Sequence, residues 1–119
     1  MSSRNIYPRY GEIWTANLNP TRGHEQAGAR PVLIVSTNGF NKGAADLVFI
    51  LPLTRTDRGI PLHVPVEPPE GGLVAKSFLM CDMLRSISKQ RLGAQALGCV
   101  SQATLSTVNE ILRILMNLE

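Results

Sequence analysis

Helical periodicity in this chain is confined to its C-terminus, and that restricts the available folds more than any other feature. Leu105, Val108, Ile111, Leu112, Leu115 and Leu118 recur at three- and four-residue spacing, and Ser101 stands where an N-cap would accept a free first-turn N–H. The pattern predicts one amphipathic helix over 101–118. Everything before it breaks into short apolar runs separated by proline, glycine and polar residues. Strands are expected at 12–18, 31–36, 47–51, 62–66, 77–84 continuing into 85–88, and within 92–100. One helical turn is expected around Phe40. With six or seven short strands and no β-α-β alternation, a mainly β fold, a small antiparallel barrel with a C-terminal helix, fits better than a parallel doubly wound sheet.

Several local expectations follow. Leu47-Val48-Phe49-Ile50-Leu51 reads as a central strand buried on both faces, ended by Pro52-Leu53-Thr54. Residues 1–9 read as a loosely held arm, and Glu67-Pro68-Pro69-Glu70-Gly71-Gly72 as a flexible loop. His63, between apolar neighbours on an alternating run, is expected at the surface. The length of 119 residues fits a single domain spanning 1–119, and 44% hydrophobic with 18% charged residues is ordinary for a globular core.

The net charge of +3 sits on the body of the domain: residues 1–100 hold eleven Lys and Arg against seven Asp and Glu, whereas 101–119 hold one against two. A polyanionic partner is compatible with this charge but not required by it. Cys81 and Cys99 are read as small core residues in a reducing compartment. Met1 to Tyr10 has no apolar run of the secretory kind, and no stretch approaches a membrane span of about 20 apolar residues. A cytoplasmic protein with no membrane association is expected. No Cys pair, His pair at helical spacing or dense carboxylate group suggests a metal, and no glycine motif suggests a phosphate-bearing cofactor, so none of either is expected.

Chemistry is concentrated in Gly23-His24-Glu25-Gln26-Ala27-Gly28-Ala29-Arg30-Pro31, a polar loop feeding straight into the apolar run Val32-Leu33-Ile34-Val35. Pro31 biases Arg30 towards extended angles and so places it at a strand's mouth. Thr54 lies just past the most apolar run and is expected at another strand end. If the two strands are neighbours, a guanidinium and a hydroxyl meet at one rim of the barrel. That pair suits a phosphodiester: arginine's planar fork of donors matches phosphate oxygens and stays charged at any working pH. Glu25 is placed to act as a general base. For Arg30 a structural ion pair, and for Thr54 an ordinary turn residue, are the competing readings.

The order of motifs then resembles the MazF/PemK toxin family. Tyr10-Gly11-Glu12-Ile13-Trp14, Leu18-Asn19-Pro20, Gly23-His24-Glu25-Gln26 with Gly28 and Arg30-Pro31, Pro52-Leu53-Thr54, and Asp82 with Leu84-Arg85-Ser86-Ile87 carry the resemblance, together with the terminal helix. It implies an SH3-like barrel of the MazF/Kid/CcdB kind, forming a two-fold homodimer. It implies a metal-independent endoribonuclease that cuts single-stranded mRNA at short sequences, and a cognate MazE-like antitoxin, through which alone operator DNA would be bound. Arg30 and Thr54 match the family's catalytic pair and Glu25 lies in the same site. His24, Gln26, Arg55, Asp82, Arg85, Ser86, Lys89 and Arg91 are the expected RNA contacts. His24 stands where many members have serine and Met83 where many have glutamine, departures that bear on base preference. The alternative is a non-hydrolytic CcdB-like topoisomerase-binding toxin on the same fold. Against it, the chain ends Met116-Asn117-Leu118-Glu119, without the tryptophan-bearing C-terminus those poisons use.

Overall fold

The computed structural model describes residues 7–18 and 29–119. The loop carrying His24, Glu25 and Gln26 lies outside the described residues. Seven strands form in chain order: β1 (Glu12–Asn17), β2 (Ala29–Ile34), β3 (Leu47–Thr54), β4 (His63–Val66), β5 (Ser77–Met80), β6 (Arg85–Ser88) and β7 (Gly98–Cys99). A single turn of helix, α1 (Asn38–Asn41), precedes β3, and α2 (Gln102–Leu115) ends the fold. All pairings are antiparallel, in the order β4-β5-β3-β2-β1-β7, with β6 also on β3. The expected mainly β architecture with a C-terminal helix is the one observed.

β3 is the strand the others share. Leu47–Ile50 pair with β6, Ile50–Pro52 with β2, and Leu53 and Thr54 with β5. Pro52 therefore does not end the strand. It sits where one flank passes from β6 to β5 and positions 51 and 52 have no partner residue, so its missing N–H costs little there. The expected single strand over 77–84 divides for the same reason. A 3₁₀ turn at Cys81–Met83 breaks it, and the two pieces pair with opposite halves of β3.

Alternation along β1–β3 feeds two cores, one on each face of the sheet. Ile13, Leu33, Leu51 and Leu53 point to one face, where they meet Val64, Val66 and Leu79 and the Leu105 and Val108 stripe of α2. Trp14, Ala16, Val32, Ile34, Val48 and Ile50 point to the other and pack on Ile87. Burial on both faces explains the unbroken apolar composition of β3. Phe49 is the exception, 40% exposed and stacked at 5.5 Å on the equally open Phe40 of α1. A buried polar knot ties α1 to β3: Ser36 Oγ donates to Asn41 Oδ1, Asn41 Nδ2 donates to the Ser36 carbonyl at 3.0 Å, and the Phe49 N–H donates to Ser36 Oγ at 3.0 Å.

The C-terminal helix begins as the sequence predicts. Ser101 caps it, its hydroxyl accepting the Thr104 N–H at 3.1 Å. Leu105 and Val108 are buried, Ile111 and Leu112 pack partly, and Leu115 and Leu118 are exposed. Residues 67–72 depart from the flexible loop expected of them. Glu70–Gly72 form a 3₁₀ turn that lies against β7, and the Glu70 carboxylate accepts both the Ser101 N–H at 2.8 Å and the Thr104 hydroxyl at 2.6 Å. The Gly71-Gly72 pair makes this approach possible. Both have positive φ, and a Cβ on Gly72 would fall 2.0 Å from the Leu97 carbonyl oxygen. Of the N-terminal residues, Pro8 is buried and the Arg9 N–H donates to Glu12 Oε1 at 2.8 Å. Among the described residues no helix is long and apolar enough to cross a membrane.

Candidate active site

The register of β2 on β3 decides where Arg30 and Thr54 fall. Val32 opposes Pro52, Leu33 opposes Leu51 and Ile34 opposes Ile50. Carried two residues on, the same register sets Arg30 opposite Thr54 at the rim of the sheet, on the face that buries Val32 and Ile50. Both residues line a cleft of about 430 Å³, together with Arg55, Thr56, Arg58 and Ser77. The guanidinium and hydroxyl expected to meet at one rim are thus brought into one cleft.

The cleft is cationic. Arg30, Arg55 and Arg58 line it, and among the described residues no carboxylate does. The nearby Asp57 is exposed and engaged within its own turn, its Oδ1 accepting the Gly59 N–H at 3.0 Å. Thr54 is held by its neighbour: the Thr56 N–H donates to Thr54 Oγ1 at 3.2 Å. This orients the hydroxyl oxygen while leaving its own proton free to be donated to a ligand. Three planar donor forks around one hydroxyl form a receptor for phosphate oxygens. Arg58 was not singled out from the sequence. Its signal is the spacing Arg55-Thr56-Asp57-Arg58-Gly59, a tight turn after a strand end that returns a second arginine to the cleft.

The remaining site residues divide into two groups. Arg85 and Ser86 are exposed on β6. Arg85 opposes Ile50, four residues from Thr54 on the same face of β3, which is roughly 13 Å along the strand. Lys89 and Arg91 lie beyond β6 and outside the cleft. Lys89 Nζ donates to the carbonyls of Asn41 at 2.6 Å and Gly43 at 3.4 Å, and Arg91 donates to the Asn17 carbonyl at 2.8 Å. These bonds tie the chain together across the barrel.

Two expectations need correction. His63 is not at the surface: its side chain is only 4% exposed, and Nε2 lies 3.2 Å from Asp82 Oδ1. His63 shares its face of β4 with the exposed Pro65, but the Cys81–Met83 turn packs against β4 and covers the His63 end of that face. Cys99 is exposed on the short edge strand β7, whereas Cys81 is buried as expected. Burial, with the Asp82 charge as a lesser cause, pushes the Cys81 thiol up to about 11. Among the described residues no three His, Cys, Asp or Glu side chains converge as metal ligands would.

The described residues thus form an antiparallel half-barrel of seven strands with a terminal helix, and three arginines line a cleft at one rim beside Thr54. The profile of PemK-like, MazF-like toxins of type II toxin–antitoxin systems matches residues 9–116, and the chain belongs to that family. It is 30% identical over 111 residues to the endoribonuclease MazF of Staphylococcus saprophyticus, covering 92% of each chain. It is also similar to MazF in the MazE–MazF crystal structure from Deinococcus radiodurans, with a TM-score of 0.83 at 27% identity, covering 97% of this chain and 100% of that one. A mycobacterial endoribonuclease solved with its cognate antitoxin superposes with a TM-score of 0.73 at 28% identity, covering 94% and 95%.

Proposed function

We propose that this chain is the toxin of a type II toxin–antitoxin pair, a homodimeric endoribonuclease that cuts single-stranded mRNA and is neutralised by a MazE-like antitoxin. The observation that carries the reading is the β2–β3 register, which sets Arg30 and Thr54 in one cleft lined by three arginines. A binder that never stabilises charge at phosphorus has no need of that arrangement.

The chemistry follows from the groups present. The ribose 2′-OH beside the scissile phosphate attacks phosphorus and gives up its proton to Glu25, the base in this proposal. The O2′–P bond forms and the P–O5′ bond breaks, leaving a 2′,3′-cyclic phosphate and a free 5′-OH. Arg30 stabilises the charge that accumulates on the two non-bridging oxygens, and the Thr54 hydroxyl donates to one of them. The departing O5′ takes its proton from solvent in the open cleft or from Arg30, a reluctant acid. Because the nucleophile belongs to the substrate and the charge is met by guanidinium, no metal is required. Arg55 and Arg58 hold flanking phosphates, and Arg85 extends the track along β3, whereas Ser86, opposite Phe49, lies on the other face of the sheet.

The test is cleavage of single-stranded RNA by the purified protein in excess EDTA, with the new ends mapped by sequencing and their phosphorylation state determined. Cleavage leaving 5′-OH and cyclic phosphate ends, stopped by the cognate antitoxin, is expected. Intact RNA under conditions where the protein is folded and free of antitoxin would refute the reading.

A further inference from the structure

The His63–Asp82 pair is unused by the chemistry above, and one nitrogen of its buried ring stands without a partner among the described residues. His63 is almost wholly buried, yet its Nδ1 finds no hydrogen-bond partner among the described residues. A proton on Nδ1 would be a buried donor with nothing to meet, which is costly. The ring's N–H therefore belongs on Nε2, donating to Asp82 Oδ1 at 3.2 Å. Asp82 is one-third exposed, so one oxygen is fixed from the inside while the carboxylate still reaches solvent.

The place of this pair matters. Asp82 sits in the Cys81–Met83 turn, which joins β5, whose Phe78 opposes Thr54, to β6, whose Arg85 opposes Ile50. The turn packs against β3 on that flank, beside the cleft and not in its wall. Cys81 is fully buried and Met83 is apolar, which leaves Asp82 as the polar side chain that the turn presents. A carboxylate without a bound proton only accepts hydrogen bonds, and an unpaired base offers such donors on its Watson–Crick edge.

We propose that His63 is a positioning residue for base recognition: it pins Asp82 so that the carboxylate accepts the exocyclic amino group of a base flanking the scissile phosphate. Adenine, cytosine and guanine each carry an exocyclic amino group at that edge, whereas uracil carries none and turns there two carbonyls that the carboxylate repels. The inference rests on the endoribonuclease reading above and adds its specificity. Fixing the acceptor before the base arrives removes the entropy of ordering a free carboxylate, the reason for burying a histidine behind it.

The experiment is cleavage of a randomised single-stranded RNA pool by the full-length protein, followed by kcat/KM on oligonucleotide pairs that differ at one flanking position. The wild type is expected to prefer a base with an exocyclic amino group over uracil at one position by about tenfold or more. Asp82→Asn and His63→Leu are each expected to reduce that ratio towards unity, and His63→Gln, whose Nε2 donates from a similar position, to retain most of it. A wild type that cuts with no amino preference at any flanking position overturns the proposal, as does a folded His63→Leu protein with the wild-type ratio. Should His63→Leu fail to fold, His63→Asn, which withdraws the donor from Asp82, is read in the same way. A wild type that cuts no RNA refutes the endoribonuclease reading itself, a different and recognisable result.

Discussion

Replacing Glu70 with glutamine should loosen the C-terminal helix, by an amount that follows from the contacts of one carboxylate. Glu70 accepts the Ser101 N–H and the Thr104 hydroxyl, both in the first turn of α2, and so places a negative charge at the positive end of the helix. A charge-assisted bond to a buried group would contribute about 1.5–3 kcal/mol, but Glu70 is only partly buried, which discounts it to about 1 kcal/mol. In a domain of this size that is roughly a 4 °C fall in Tm at neutral pH. The hydrogen bonds from Ser101 and Thr104 hold the carboxyl below its ordinary value of 4.5, the backbone N–H of Ser101 being the largest cause. A group with a lowered folded pKa stabilises fully above its unfolded pKa, and the contribution fades as pH falls through the folded value. The Tm gap between wild type and Glu70→Gln should therefore be constant from pH 8 to about 5.5 and close below 4.5. Thermal unfolding by circular dichroism at fixed protein concentration measures it. Equal Tm values at pH 7, or a gap that persists undiminished into strong acid, would refute the reasoning.

Three further outcomes are expected. Gly72→Ala drives a Cβ into the Leu97 carbonyl at a positive φ and should cost about 3 kcal/mol in urea unfolding, whereas Gly39→Ala, with open space around it, should cost far less. Thiol titration of the native protein at pH 8 should find Cys99 reactive and Cys81, buried and pushed up to about 11, silent until the chain is denatured. Thr54→Val, which keeps the shape and removes the hydroxyl, should lower RNA cleavage about 10²-fold, and Thr54→Ser should recover most of it.

What could be read from the sequence was what local chemistry fixes. The Ser101 cap and the Leu105–Val108 stripe are written within one helix, and Arg30 and Thr54 are marked as strand-end residues by their own prolines. That they oppose one another needed only adjacent strands, and the register supplied it. What stayed hidden depended on partners distant in sequence. Glu70 lies 31 residues from Ser101, so the Pro/Gly composition around it concealed a helix cap. His63 meets Asp82 across 19 residues, and alternation alone gave no sign that a neighbouring turn would bury it. Pro52 reads as a strand end because a single sequence cannot show that β3 changes partners on one flank at that position. Cys99 reads as core because cysteine commonly is, yet it falls on a two-residue edge strand and is exposed.

The central claim is that Arg30, held opposite Thr54, stabilises charge at the scissile phosphorus. The most direct measurement is kcat/KM for a single-stranded RNA containing one cut site, compared between wild type, Arg30→Lys and Arg30→Ala, each shown by circular dichroism to be folded. A fall of at least about 10³-fold in Arg30→Ala is predicted, with Arg30→Lys recovering only a small part because an ammonium lacks the planar fork. A folded Arg30→Ala protein that cuts at the wild-type rate would contradict the account.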